Sequence, residues 1–348
     1  MPVAPGPTET ELAERLAART LELVDIPSES HGEAAIAAHV ADVLRAGGAP
    51  VRDLGDSCVL AGPGAPVLLA GHLDTVPAQG NRPGRRDAER VHGLGASDMK
   101  GAVAVMIELA LAGARFGCLF FGREELPAAD SALTPLLARE PLQAELVVMM
   151  EPTDNALHAG CLGNINATWT FRGRAGHSAR PWDGDNAIHR AASAIAALGR
   201  REPEAHEFDG LTFYEVASVT RFAGGIADNV IPDRAEAHLN YRYPPGLSPA
   251  QAEARLAELT GGAGELVVTS NSPSGPVPVG NPHVERLKAQ LPVAPKQAWT
   301  PVAEFAGAGV DAVNLGPGDP AQAHARAEHV RIDALVRCYE TIEAFACA

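Results

Sequence analysis

Five short stretches of this sequence carry side chains that can hold a cation or move a proton. They are Gly71-His-Leu-Asp-Thr-Val-Pro77, Gly95-Ala-Ser-Asp-Met-Lys-Gly101, the pair Glu124-Glu125, Met150-Glu-Pro-Thr153 and Gly316-Pro-Gly-Asp-Pro-Ala-Gln-Ala-His324. His72 offers a ring nitrogen to a transition metal, and Asp74, two residues on, is placed to hydrogen-bond the other nitrogen and fix the tautomer. A histidine and an aspartate that merely satisfy a loop would look the same in isolation. Asp98 stands at an expected helix entrance, and a carboxylate with two oxygens is the natural bridge between two metals about 3.5–4 Å apart. Glu124 and Glu125 are adjacent and point different ways, so one can ligate while the other reaches a water. Glu151 and His324 complete a set of two histidines and several carboxylates, which suits a pair of borderline dications such as zinc.

For that chemistry the five stretches must meet, and the elements around them say where. Residues 66–70 read as a short buried strand emptying into Gly71-His72; 118–121 and 146–150 are further buried-strand candidates, ending just before Glu124 and at Glu151. Helices are expected over 8–24, opening on the capping types Thr8 and Thr10, over 33–46, stopped by Gly47-Gly48, and over 101–114. Helices alternating with short apolar strands predict an α/β domain with a mainly parallel, helix-covered sheet, and ligands collect at the carboxyl ends of such strands.

After Gly163 the pattern changes. Strands over 166–171, 215–222, 235–241 and 265–269, with helices over 186–198 and 249–259, predict a smaller α+β, ferredoxin-like unit. A Pro/Gly/Ser-rich stretch near 271–282 closes it, and the chain ends in a helix over 332–345. The expected organisation is a discontinuous catalytic domain, 1–165 and 277–348, with 166–276 inserted as a lid or dimerisation domain.

The composition narrows the function. With 43 acidic against 28 basic residues, the net charge of −15 disfavours nucleic acid and anionic lipid as partners. Cys58, Cys118, Cys161, Cys338 and Cys347 are odd in number and scattered, with no C-x-x-C pair, the usage of a reducing cytosol. Residues 1–9 show no leader pattern and no stretch reaches the roughly 18 apolar residues of a membrane span. The expectation is a cytoplasmic protein.

In order along nearly the whole chain, GHLDTVP, GLGASDMKG, the Glu-Glu pair, EPTD, AGCLGN, RGRAGHSARPWDGDNAIH, GGIADNVIPDRAEAHLNYRYPP and LGPGDPAQAHARAEHV resemble the motifs of the M20 metallopeptidase and deacylase family. The most similar branch is that of the actinobacterial succinyl-diaminopimelate desuccinylases. The resemblance implies two Zn²⁺ per subunit, replaceable by Co²⁺, with His72 and Glu151 on one, Glu125 and His324 on the other, and Asp98 between them. It implies Glu124 as general base, Asp74 orienting His72, and His177 reaching a neighbouring subunit's site to stabilise the oxyanion. His324 rather than His329 is the ligand, because the family's histidine precedes a Glu by four residues, here Glu328. A homodimer is implied as well.

The substrate implied is a small acidic N-acyl amino acid, N-succinyl-LL-2,6-diaminopimelate. Arginine forks suit its carboxylates, which makes Arg242 and Arg180 candidates, with Asn229 as a polar partner. Thr300 falls in the family's substrate-binding loop, but Pro301 follows it where relatives often carry Asp. An acetylornithine deacetylase or an M20 exopeptidase would use the same machinery, and an inactive binding protein the same fold.

Overall fold

Runs such as Val67–His72 (VLLAGH), Gly117–Phe121 (GCLFF) and Leu146–Met149 (LVVM) are apolar without alternation, the composition of strands covered on both faces. In the computed structural model, which describes residues 8–62, 64–127 and 130–347, each is a strand buried along its whole length. The reading of residues 1–9 lies mostly outside the described residues, as does the Cys347 side chain. Among the described residues no helix is long and apolar enough to cross a membrane.

The chain divides into two compact units. The larger takes the described residues up to Gly160, Pro278–Ala294 and those from Pro301 on; the smaller takes Cys161–Val277 and Pro295–Thr300.

In the larger unit the main sheet includes, in order, Val51–Gly55, Cys58–Ala61, Gly117–Phe121, Val67–His72, Leu146–Met149, Ala312–Asn314 and Leu157–Cys161. Its four central strands, from Gly117–Phe121 to Ala312–Asn314, are mutually parallel, and the strands flanking them pair antiparallel. Parallel pairing with His72 opposite Phe121 and Ala70 opposite Met149 brings these strand ends level. The helices Glu9–Asp25, Gly101–Leu111 and Ile332–Cys347 pack together, burying Leu16, Leu23, Val103, Ile107 and Leu335. Thr8 caps the first of them reciprocally with Glu11, as its type predicts.

In the smaller unit the strands lie in the order Glu204–Phe208, Leu211–Gly224, Arg234–Tyr243, Gly163–Arg172, Glu265–Ser272, all antiparallel. The helices Ala187–Leu198 and Pro249–Leu259 pack on this sheet over a core of Trp169, Leu239, Tyr241 and Tyr243. Without the first, extra edge strand this is the ferredoxin-like arrangement. Residues 295–300 were expected with the larger domain. They group instead with this unit, because Leu162 N donates to the Ala298 carbonyl (3.0 Å) and the Gln297 amide bonds both backbone polar groups of Tyr214.

One polar network crosses the smaller unit. Glu215 is buried and accepts from Tyr241 Oη at 2.6 Å and Arg255 Nε at 3.0 Å. Burial pushes its carboxyl up, but Arg255 and Tyr241 outweigh it and leave the group below its ordinary range. A depressed carboxyl stabilises the fold above its unfolded pKa and loses that contribution as pH falls. Glu215→Ala, which strands a phenol and a guanidinium, is expected to cost about 2–3 kcal/mol in urea unfolding at neutral pH. The deficit should shrink toward acid pH; one that is constant with pH would contradict the ionic assignment.

Candidate metal centre

The carboxyl ends of the parallel strands deliver the site. His72 is the last residue of Val67–His72; Glu124 and Glu125 follow Gly117–Phe121, Glu151 follows Leu146–Met149, and the loop after Ala312–Asn314 leads to His324. That loop is forced close to its neighbours. A Cβ at Gly316 would lie 2.3 Å from the Met150 carbonyl oxygen and 2.5 Å from that of Glu151, and one at Gly318 would lie 2.2 Å from that of Ser97. Only glycine lets the backbone pass here.

Asp98 occupies the middle. Its Oδ1 lies 3.1 Å from His72 Nε2 and its Oδ2 lies 3.6 Å from His324 Nε2, so each oxygen faces one histidine. His324 Nε2 is also 3.0 Å from Glu125 Oε2, and Glu151 Oε1 is 3.9 Å from His72 Nε2. Ligand atoms of His72, Asp98 and Glu125 all lie within 4.8 Å of one another, as do those of His72, Glu124 and Glu151. Asp98 stands not in the first turn of the helix Gly101–Leu111 but just before it, in the turn Ala96–Lys100, with an extended backbone (φ −125°, ψ 90°).

Asp74 differs from expectation. The His72 Nδ1 partner at hydrogen-bond distance is the Asp74 main-chain carbonyl (3.0 Å), whereas the Asp74 carboxylate is 3.6 Å away. An Nδ1–H donated to that carbonyl leaves the Nε2 lone pair facing Asp98, the tautomer a ligand needs. The carboxylate instead accepts from Glu124 N (3.0 Å), Glu125 N (3.1 Å) and Ser30 Oγ (2.7 Å). Its larger task is to fix the backbone of the Glu pair. Nothing in the sequence singles out Ser30 for this.

The electrostatics ask for positive charge. Burial, and after it the Glu151 carboxylate, pushes Glu124 well above the usual carboxylate range. Burial pulls the His72 imidazole down, yet Asp74 and Asp98 hold it well above the usual histidine range; the bond to Glu125 lifts His324 to about 9. Protons are being retained by a crowd of carboxylates. Divalent cations bound among the same nitrogens and oxygens would replace those protons, and the donor set fits them.

The remaining sequence-predicted residues belong to the smaller unit. His177 is exposed and pairs opposite Val230, and Ser178 N donates to the Asn229 carbonyl (3.0 Å), so His177 and Asn229 are brought together. Arg180 is exposed beside Asp183. Arg242 is half-buried and its Nε donates to Asn240 Oδ1 at 3.0 Å. Asn240 in turn donates to Asn164 (2.8 Å) and Asn166 (2.9 Å). This amide ladder, unforeseen in the sequence, holds the guanidinium. Thr300 is buried, in the loop between the strand Val293–Lys296 and the helix Val302–Gly307.

Residues 160–264 match the family model described as a peptidase dimerisation domain. The chain is 38 % identical to a Mycobacterium tuberculosis protein provisionally named succinyl-diaminopimelate desuccinylase, over 90 % of this chain and 92 % of that protein. It is 32 % identical to the Corynebacterium glutamicum succinyl-diaminopimelate desuccinylase over 90 % and 91 %. An N-acetyl-L-citrulline deacetylase from Xanthomonas campestris is 32 % identical over 84 % and 85 %. Among solved structures, the Bacillus cereus aminopeptidase PepT superposes with a TM-score of 0.75 at 22 % identity, covering 96 % of this chain and 97 % of that one. A Bacillus subtilis dinuclear metal binding peptidase from the M20 family superposes with a TM-score of 0.68 at 16 % identity, covering 97 % and 98 %. With identity of this extent along almost the full length of its relatives, the chain belongs to the M20 metallopeptidase and deacylase family.

Proposed function

We propose that this chain is a two-metal hydrolase that cleaves the amide of N-succinyl-LL-2,6-diaminopimelate, releasing succinate and LL-diaminopimelate. The observation that carries the reading is Asp98, with one carboxylate oxygen turned to each of two histidines. Full-length relatives bearing the desuccinylase name support the substrate. His72 and Glu151 would hold one Zn²⁺, Glu125 and His324 the other, with Asp98 shared and Co²⁺ an acceptable substitute. The bound pair supplies Lewis acidity toward the acyl oxygen and lowers the pKa of water nearby.

The protein's own groups do the rest. Glu124 takes a proton from the attacking water as its oxygen bonds to the acyl carbon. It then gives that proton to the amine nitrogen as the C–N bond breaks. Asp74 steadies Glu124 and Glu125 through their amides and orients His72 through its carbonyl. We assign oxyanion stabilisation to His177 of a neighbouring subunit, and substrate carboxylate recognition to Arg242 and Arg180, with Asn229 and Thr300 as polar partners. This requires a homodimer, for which the match to a peptidase dimerisation domain is the support. Cys58, Cys118 and Cys338 are buried and unbridged, in keeping with work in the cytoplasm.

The N-acetyl-L-citrulline deacetylase relative favours a second reading, an N-acetyl amino acid deacylase on the same machinery. Zinc-loaded protein should hydrolyse N-succinyl-LL-diaminopimelate with a kcat/KM at least about 100-fold above those for N-acetylornithine and N-acetylcitrulline, the discrimination expected when buried polar groups would otherwise be left unpaired. An inert succinyl compound beside a reactive acetyl one would overturn the substrate and keep the reaction class.

A further inference from the structure

Four backbone amides of the segment that carries Asp98 converge on one residue. Gly95 N donates to Glu328 Oε2 at 2.9 Å, Ser97 N and Asp98 N donate to Oε1 at 2.9 and 3.0 Å, and Gly93 N donates to the Glu328 carbonyl at 3.0 Å. Glu328 is only 2 % exposed. A buried carboxylate is costly unless its oxygens are satisfied, and a nest of amides satisfies them. The segment has a matching need. Gly95 is left-handed (φ 79°) and Asp98 extended, so no regular ladder serves these amides, and each would otherwise be an orphan.

Glu328 also sits four residues after His324, just ahead of the strand His329–Arg331. One side chain thus ties the backbone of Asp98 to the segment that presents His324, whose Nε2 lies 3.6 Å from Asp98 Oδ2. Ser97 Oγ adds a bond to the Asp319 carbonyl at 3.0 Å, lashing the same two loops together a second time.

We infer that Glu328 is a positioning residue that sets Asp98 against the two histidines, and through it the spacing of the pair of cations. The inference rests on the reading of Asp98 as the shared ligand. Glu328 touches neither substrate nor ligand side chain. In Glu328→Gln one oxygen becomes an N–H pointed at amide donors, so the loop must shift although the shape of the side chain is kept.

Metal-stripped protein titrated with Zn²⁺ by calorimetry tests this, with Leu335→Ala, a buried helix residue, as the control for simple loss of stability. The parent should take two equivalents per chain. Glu328→Gln should bind the weaker equivalent about 10–100-fold less tightly, the usual effect of outer partners on metal sites. Its kcat should fall about tenfold or more while KM moves less than about twofold, the pattern of a disturbed reaction centre rather than of lost substrate binding. Should Glu328→Gln fail to fold, Glu328→Asp, which keeps the charge but shortens the reach, takes its place with the same expectation. Leu335→Ala should lower Tm and leave both equivalents as they were. Parent-like zinc affinity in the Glu328 variants, or a loss matched by Leu335→Ala, overturns the inference. A parent that takes fewer than two equivalents sinks the two-metal reading itself, and this inference with it.

Discussion

Glu124→Gln is expected to retain the parent's full metal content and to lose about 10²–10⁴-fold in kcat, the range that a positioned general base contributes. Its ring of neighbours makes this a sharp test. Ligand-capable atoms of Glu124 lie within 4.8 Å of those of His72 and Glu151, so distance alone allows Glu124 to be a ligand. What argues for a base is the pairing: Glu125 stands 3.0 Å from His324, and Asp98 serves both histidines. Both histidines then have carboxylate company without Glu124. Its carboxyl is pushed up by burial and by Glu151, so in this crowd it holds a proton more readily than an ordinary carboxylate. Glutamine keeps the volume and the hydrogen-bonding shape but cannot accept that proton. KM should therefore stay near the parent's while kcat collapses. Elemental analysis beside initial rates decides: if one metal equivalent leaves with the carboxylate, Glu124 is a ligand and the base lies elsewhere.

The meeting of these residues was legible because each was tied to a strand end. Once 66–70, 118–121 and 146–150 read as buried parallel strands, His72, Glu124, Glu125 and Glu151 had to emerge on one edge of the sheet. The route of each loop beyond that edge was not legible. Asp74 follows His72 by two residues, which suggested a side-chain bond to the ring; the chain turns so that its carbonyl meets the ring and its carboxylate meets the Glu124 and Glu125 amides. Glu328 served only to mark which histidine was which, since nothing in the spacing tells that a carboxylate will collect amides from a segment some 230 positions earlier.

The fold shows the same division. Helices with strong caps were found nearly residue for residue, as in Pro249–Leu259 behind the Ser248–Gln251 capping box. Exposed polar strands were missed. Val51–Gly55 (VRDLG) has little apolar signal, and its hairpin turns through Asp56-Ser57, both at positive φ, where Asn-Gly would have announced it. Glu204–Phe208 (EAHEF) is equally polar, but there Asp209-Gly210, also at positive φ, is a legitimate hairpin signal that the sequence does display.

Removing metal should be the most damaging treatment of all. Chelation is expected to cut hydrolysis at least about 10³-fold, because bound cations would give the acyl oxygen several kcal/mol of charge stabilisation beyond what His177 would supply. Stability should fall with it. Asp98, Glu124, Glu125 and Glu151 crowd two histidines, and without cations the carboxylates must be neutralised by protons. A ligand that binds only the folded state at a hundredfold excess over its Kd contributes about 2.7 kcal/mol. In a chain of 348 residues that corresponds to roughly 3–5 °C in Tm. The loss should be smaller at mildly acid pH, where protons do part of the cations' work, and zinc should restore both activity and Tm. Asp98→Asn separates the causes: it removes one of the crowding charges and the shared ligand together, so its metal-free form should melt no lower than the parent's metal-free form, yet zinc should recover little of its activity. Hydrolysis that persists at the parent rate in fully stripped protein would mean that these side chains were gathered for some purpose other than holding metal.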